Sequence, residues 1–274
     1  MADGHRRGRR SAPEPQHQPE YSDDSDGFAW DDAVDVVCVG LSPVAAAAAV
    51  AAANLGWHVC RVRPARELVG DSAEYLRQVT DDVVPVEPDD RTHSVPLRRI
   101  TGPAPSDREF PIGTVTFVGS ALRSWAAQCI DAVGGVLSTE VADPRLMTRY
   151  HGVGADIEAF PVGAVDFGAE PVSVGDWLAD EMARHDIASN PADVLVELVF
   201  DDGRVVGVVL ATEVGTELVR ARRGVVMALR EDVTELSWPS ETTGARAELA
   251  FVTRPASRFG RLELLSAAPE SLPR

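Results

Sequence analysis

Gly40, Ser42 and Ala45 stand at the spacing of a turn that holds the pyrophosphate of a dinucleotide. Such a turn reads G-x-G-x-x-G between a strand and a helix, and an acidic residue about 20 positions further on accepts hydrogen bonds from the ribose. Here serine and alanine replace the second and third glycines, and Arg63 stands at the acidic position. The spacing therefore predicts a nucleotide-binding turn with altered chemistry.

Three residues change what this turn can bind. Ser42 adds a side chain where the second glycine lets the backbone approach a pyrophosphate, and its hydroxyl can instead cap the helix. Pro43 removes one backbone N–H from the same turn. Arg63 is a hydrogen-bond donor only, so it cannot accept from ribose hydroxyls. Together these changes predict weakened binding of a dinucleotide.

A second interpretation of the same strand keeps nucleotide binding open. Arg61 and Arg63 lie at the end of the strand that follows the helix. A basic residue there can pair with a 2′-phosphate, which would favour NADP as the cofactor.

The elements that position the turn are those of a βαβ unit. The β-branched residues of 34–39 predict a buried strand, and Ser42 predicts the N-cap of a helix. Small residues over 45–53 allow that helix to lie close to a sheet, and Gly56 ends it. Residues 57–62 then predict a second, parallel strand.

The rest of the chain is predicted to contain two further helices and, in its second half, mainly strands. Helices are expected over 119–133 and 174–185, a hairpin with an Asp202-Gly203 turn over 194–212, strands over 216–222 and 224–229, and a last hairpin from 247–253 and 261–265. Residues 1–30 are expected to form a disordered tail, and 31–274 a single α/β domain in which 84–172 is an irregular, inserted region.

Composition excludes several classes of function. The net charge of −17 disfavours binding to nucleic acid or to an anionic membrane. The chain contains no lysine, which excludes P-loop, Schiff-base and kinase-type lysine chemistry. The three cysteines have no C-x-x-C spacing and are expected to be buried free thiols in a reducing compartment.

The chain shows no pattern that predicts a membrane segment or a secretory signal. Residues 36–55 are uncharged over the length of a membrane span, but the Gly40 to Pro43 turn interrupts them. The first 30 residues contain no apolar stretch that could serve as a signal-peptide core. These features predict a cytoplasmic protein that does not bind a membrane.

Other candidate chemistry is weaker. Gly40-Leu-Ser42-Pro-Val44 resembles a nucleophile elbow but lacks the glycine after the serine, so a capping role for Ser42 is favoured. The histidines lack zinc-ligand spacing, and we predict no metal site and assign no catalytic residue. Arg220, Arg222 and Arg223 suit either an exposed strand face or contact with an acidic partner.

Two separated blocks of the sequence resemble flavoproteins of the fumarate reductase and 3-ketosteroid dehydrogenase type. The first, 34–82, contains Glu67-Leu-Val-Gly70-Asp-Ser72-Ala, which is similar to the family's E-L-G-G-T-S-A stretch beside the flavin. The second, 193–229, is similar to the family's strand meander and its closing G-V-V-L-A-T-G-G. The resemblance implies a Rossmann-like FAD/NAD(P)-binding domain with a β-meander.

The same resemblance implies which further residues would face a cofactor. It implies FAD as that cofactor, with Gly70, Ser72 and Ala228 beside it in addition to the Gly40 turn. Ala228-Leu229-Arg230 stands where the family carries A-T-G, so two bulky side chains replace a bare backbone. The chain also lacks room for the family's complete cap domain, so a truncated cap region is expected.

Two functional hypotheses follow from the resemblance and its departures. The first is a degenerate, non-catalytic flavoprotein-like protein that acts as a homo-oligomer or as a partner or regulatory subunit of a catalytic flavoprotein. The second is an active FAD-dependent oxidoreductase on a steroid-like or other apolar ring substrate. The degenerate protein should have the Gly40 turn filled by side chains, with Ser42, Arg63 or Arg230 as candidates.

Overall fold

The computed structural model describes residues 27–81, 83, 93–103, 119–153, 155–167, 172–188, 192–241 and 246–267. Most of the predicted tail and much of the predicted inserted region lie outside these residues. The helices are α1 (Pro43–Asn54), α2 (Gly70–Thr80), α3 (Gly119–Ile130) and α4 (Val174–Arg184), with a short 3-10 turn at Pro144–Leu146.

The described residues form a mixed α/β fold dominated by thirteen strands. They are β1 (Asp32–Val34), β2 (Val36–Val39), β3 (Val59–Pro64), β4 (Leu97–Pro103), β5 (Gly135–Ser138), β6 (Thr148–Gly152), β7 (Asp156–Asp166), β8 (Val194–Asp201), β9 (Arg204–Thr212), β10 (Gly215–Ala221), β11 (Val225–Ala228), β12 (Arg246–Thr253) and β13 (Phe259–Ala267). Hydrogen bonds join them in the order β1-β10-β9-β8-β3-β2-β11-β5-β13-β12-β7-β6-β4, and β4 also pairs with β13.

The predicted βαβ unit is confirmed. β2 lies between β3 and β11 and pairs with both in parallel, and all four of its residues are buried. Parallel strands covered on both faces need side chains that are apolar throughout, which explains the uninterrupted β-branched pattern. The expected short parallel strand over 224–229 is β11.

Helix α1 lies close to the sheet because its side chains are small. Residues 44–52 are all buried, and α1 packs against β2, β3, β7, β11 and α4. Ser42 caps its N-terminus and Pro43 is its first residue, as predicted. Gly56 follows the helix with φ +76°, a left-handed conformation that glycine adopts without steric cost.

The predicted meander is also confirmed. β8 and β9 pair in antiparallel fashion around Asp202 and Gly203, which both have positive φ, as a two-residue hairpin turn requires. β10 pairs with β9, and β12 pairs with β13 as the expected last hairpin. The helices expected over 119–133 and 174–185 form as α3 and α4.

The expectation of irregular structure over 84–172 is wrong for the part that the structure describes. β4, β6 and β7 lie in this range and, with β12 and β13, form a closed five-stranded barrel. The open Rossmann-like sheet implied by the resemblance is therefore limited to the region around β3, β2 and β11. Among the described helices, none combines the length and apolar character needed to cross a membrane.

Candidate functional site

The turn between β2 and α1 brings Gly40, Ser42 and Ala45 together at the carboxyl end of the parallel strands. Gly40 has φ +139°, and the Ser42 hydroxyl accepts a hydrogen bond from the Ala45 N–H at 3.4 Å. The first N–H groups of a helix lack partners within it, and they attract anions. The turn therefore keeps the backbone geometry of an anion-binding site.

The anion at this turn is supplied by the chain itself. The Glu231 carboxylate accepts hydrogen bonds from the Leu41 N–H at 2.9 Å and from the Ser42 hydroxyl at 3.1 Å. A carboxylate near a helix N-terminus is stabilised by the positive end of the helix dipole. Glu231 thus takes the position at which a βαβ unit holds a ligand's negative charge.

The carboxylate also occupies the space above the bare backbone of Gly40. A Cβ atom built on Gly40 would lie 2.2 Å from Glu231 Oε1 and 2.7 Å from the Ala45 Cβ. In a dinucleotide-binding turn, this absence of a side chain allows the pyrophosphate to approach. A pyrophosphate does not fit here unless Glu231 moves.

A buried cation supports the turn from the neighbouring strand. Arg61 in β3 is 8% exposed, and its Nε donates to the Gly40 carbonyl at 3.2 Å. Burial lowers the pKa of this guanidinium, whereas Cys38 and the Glu231 carboxylate act in the opposite direction. The turn therefore lies between two opposite charges, the Arg61 guanidinium and the Glu231 carboxylate, which attract each other.

The segment after β11 carries Glu231 across the end of the sheet. The Leu229 N–H donates to the Gly135 carbonyl at 3.0 Å, and Arg230 and Asp232 form a two-point ion pair at 2.8 and 2.7 Å. That hydrogen-bonded pairing raises the pKa of Arg230 and lowers the pKa of Asp232. Val233 is fully buried, so the segment is anchored before Glu231 by the Leu229 hydrogen bond and after it by Val233.

The other predicted site residues are placed differently. Ala228 ends β11 beside β2, whereas Arg63 has an exposed side chain and its backbone N–H donates to the Asp193 carbonyl. Gly70 is exposed at the start of α2. Ser72 is fully buried and accepts a hydrogen bond from the Leu198 N–H at 2.8 Å, which joins α2 to β8.

Side chains fill the turn, but of the three residues predicted to do so only Ser42 lies there. Arg63 points to solvent and Arg230 pairs with Asp232, whereas Glu231 provides the carboxylate. The only indication in the sequence was that an acidic residue, Glu231, directly follows the segment 228–230 that aligns with A-T-G. Its contact with Leu41 joins residues 190 positions apart, so no local pattern indicated it.

The cysteines contribute no reactive thiolate to this region. Burial raises the pKa of Cys38 to about 12, of Cys60 to about 11 and of Cys129 to about 12. All three are free thiols, as expected, with Cys60 only partly buried. A thiol rather than a thiolate is a poor nucleophile and metal ligand.

Two cavities, of about 580 and 510 Å³, lie elsewhere in the described structure. The larger is lined by the end of α1 and by β5, β7 and β12, and the smaller by barrel strands. Neither is lined by Gly40, Ser42 or Glu231. The turn is therefore not part of either cavity.

We expect Ser42→Ala to lower the free energy of unfolding by about 1–2 kcal/mol, because Ser42 is both a helix N-cap and a partner of Glu231. Ser173→Ala is the matched control. Ser173 caps α4 through Asp176 N–H at 3.0 Å and also donates to the Asp176 carboxylate at 2.8 Å, but it is exposed and both contacts are local. Urea denaturation of both variants measures the difference, and equal losses would argue that the buried, long-range contact with Glu231 adds no stability beyond that of a local, exposed one.

Comparisons with known proteins give weak similarities. No protein-family model matches the chain, and no curated protein matches it. Among solved structures, it is similar to 3-ketosteroid-Δ4-(5α)-dehydrogenase from Rhodococcus jostii RHA1, with 18% identity and a TM-score of 0.32 over 73% of this chain and 46% of that one. An open flavocytochrome c3 fumarate reductase shows 14% identity and a TM-score of 0.31, over 70% of this chain and 33% of that one.

A third similar structure is 3-ketosteroid Δ1-dehydrogenase from Sterolibacterium denitrificans. It shows 15% identity and a TM-score of 0.28, over 71% of this chain and 47% of that one. The chain thus spans less than half the length of each of these three structures. Similarity at this level does not establish a family.

Proposed function

We propose that the chain is a degenerate flavoprotein-like protein in which the Glu231 carboxylate replaces the cofactor pyrophosphate. Its βαβ unit derives, on this proposal, from a Rossmann-like FAD/NAD(P)-binding domain that no longer binds FAD. The observation that carries the proposal is the pair of hydrogen bonds from Leu41 and Ser42 to Glu231.

Hydrogen bonding and charge both oppose a cofactor at this turn. The Leu41 N–H and the Ser42 hydroxyl, which would face a pyrophosphate, already donate to the carboxylate. A hydrogen bond to a charged group contributes about 1.5–3 kcal/mol, so displacing Glu231 costs two such contacts. A pyrophosphate placed beside the carboxylate would in addition meet a like charge.

The other predicted contacts also support loss of the cofactor. Arg63 offers only donors where a ribose needs an acceptor. Leu229 and Arg230 carry side chains where the flavoproteins that this sequence resembles have the smaller A-T-G residues, and Arg230 is held by Asp232. Binding of NADP through Arg61 is disfavoured as well, because that guanidinium is buried against Gly40 and Met182.

A protein of this fold without a cofactor is expected to act by association. We propose a non-catalytic role as a homo-oligomer or as the partner subunit of a catalytic flavoprotein. The opposing hypothesis, an FAD-dependent oxidoreductase on an apolar ring substrate, requires Glu231 to leave the turn. The two hypotheses therefore differ in whether the purified protein binds flavin.

The visible absorbance spectrum of the purified protein, followed by calorimetric titration with FAD, NADP and inorganic pyrophosphate, tests this proposal. We expect a colourless protein that binds none of them. Glu231→Ala should gain measurable pyrophosphate binding because the Leu41 N–H and the Ser42 hydroxyl lose their partner. Glu235→Ala is the control, since Glu235 is an exposed acid in the same segment.

Each result of this experiment has a distinct meaning. Stoichiometric flavin in the wild-type protein would contradict the proposal and favour the oxidoreductase. Pyrophosphate binding by Glu231→Ala, but not by Glu235→Ala, would support Glu231 as the group that closes the turn. A Glu231→Ala variant that binds no pyrophosphate would contradict that role for Glu231.

A further inference from the structure

The larger cavity, of about 580 Å³, lies at the end of α1 remote from the Gly40 turn. Ala51 and Ala52 from the last turn of α1 line it, together with Leu55 just after the helix and Val36 at the start of β2. Because α1 runs back along the parallel strands, its C-terminus lies near their amino ends. No residue of the Gly40 turn takes part in this cavity.

The inner wall of this cavity is apolar. Val136, Val226, Phe160 and Phe251 from four strands line it beside the small side chains of α1. Small-molecule sites are commonly cavities of roughly 300–1,000 Å³ with mainly apolar walls and a few placed polar groups. The wall therefore suits the apolar body of a small molecule.

The residues that line the cavity carry an excess of positive charge, although the protein is strongly acidic. Four arginines line the cavity, against two carboxylates, although the chain carries a net charge of −17. The arginines are Arg204, Arg222, Arg223 and Arg258, and the acids are Glu140 and Asp143. This excess of guanidinium groups favours an anionic ligand.

Two of the four arginines are already paired. Arg204 donates to Glu140 at 3.1 Å. Arg223 lies 3.9 Å from Asp35 and stacks over the Trp57 ring at 4.8 Å. Arg223 is thereby held against the cavity, whereas the Arg204 side chain, paired with Glu140, remains 74% exposed.

The other two arginines have no carboxylate partner within the part of the chain that the structure describes. Arg222 reaches the Ala33 carbonyl at 3.5 Å, and Arg258 donates to the Tyr75 hydroxyl. A neutral oxygen leaves most of a guanidinium's five donors available. These two groups could therefore bind the oxygens of an anion.

We propose that this cavity binds an amphipathic small molecule with an apolar body and an oxyanion head group, either a carboxylate or a phosphate. The body would lie against Phe160 and Phe251, and the head group would accept hydrogen bonds from Arg222 and Arg258. Guanidinium binds both kinds of oxyanion in a planar, two-point geometry. The site is independent of the Gly40 turn, because the two share no residue.

Calorimetric titration with three ten-carbon probes tests the proposal: decanoate, decyl phosphate and decan-1-ol, each below its aggregation concentration. We expect the anions to bind more tightly than the alcohol. Arg222→Gln combined with Arg258→Gln should weaken anion binding by roughly tenfold or more, since each lost contact involves a charged group. The stronger of the two anions identifies the head group.

A charge-matched control separates direct contact from general attraction. Arg66→Gln combined with Arg246→Gln removes the same charge from two exposed positions that do not line the cavity. Equal anion binding by the two double variants, or no anion binding by the wild-type protein, would overturn the proposal. Ala51→Leu should fill the cavity and weaken all probes, with thermal unfolding measured to confirm that the variant folds.

Discussion

Glu263→Ala should lower the free energy of unfolding by about 3–5 kcal/mol, near the lower value because Arg98 keeps some contact with water. Glu263 in β13 is 1% exposed. It accepts hydrogen bonds from both Nε and Nη2 of Arg98, the latter at 2.8 Å, and from Arg261 Nε at 2.6 Å. Its loss would leave two partly buried guanidinium groups, 35% exposed for Arg98 and 20% exposed for Arg261, without their shared anion.

This ion triad also joins the two strands that close the barrel. Arg98 lies in β4, which pairs in parallel with β13 beside Glu263. We therefore expect the loss of stability to appear in urea denaturation together with weaker amide-exchange protection in β4. The exposed pair of Glu74 and Arg77 provides the control, and Glu74→Ala should lower the free energy of unfolding far less, because solvent screens an exposed ion pair. Similar losses in the two variants would contradict a structural role for the triad.

Gly40→Ala should lower the free energy of unfolding by about 2–4 kcal/mol through two effects. The φ of +139° is strained for any residue with a side chain. The added methyl group would also lie 2.2 Å from Glu231 Oε1, so the carboxylate must leave the N-terminus of α1. Its hydrogen bonds to Leu41 and Ser42 would then be lost.

Gly56→Ala separates these two effects. Gly56 also has a positive φ, +76°, but a methyl group there would meet no atom within 4 Å. We expect Gly56→Ala to lower the free energy of unfolding by about 1–2 kcal/mol, the cost of the positive φ alone. In a double-mutant cycle, Gly40→Ala and Glu231→Ala should be strongly non-additive because both remove the same contacts. Additive losses would argue that Glu231 does not fill the turn.

Local residue patterns were sufficient to predict the elements around the turn. The Ser42 cap, the small residues of α1 and the stop at Gly56 all act within a few positions of one another. The Asp202-Gly203 turn is equally local, because its two residues adopt the positive φ that the hairpin requires. These elements formed as predicted.

The barrel could not be predicted in this way, because its strands break the usual alternation. In β7, the buried side chains change phase at Pro161, where the register with β12 shifts. In β4, Arg98 is accommodated only by Glu263, 165 residues further along the chain. A charged or proline-containing strand is recognisable only when its partner is known.

The sequence by itself determined that a βαβ unit with an anion-binding turn would form and that its glycine pattern was altered. These properties depend on backbone conformation and on side chains that are close along the chain. Only the tertiary structure decided what the turn binds. The partner is Glu231, which reaches Leu41 and Ser42 from about 190 residues away because β11 pairs beside β2. Strand pairing, rather than local sequence, therefore placed the carboxylate at the helix N-terminus.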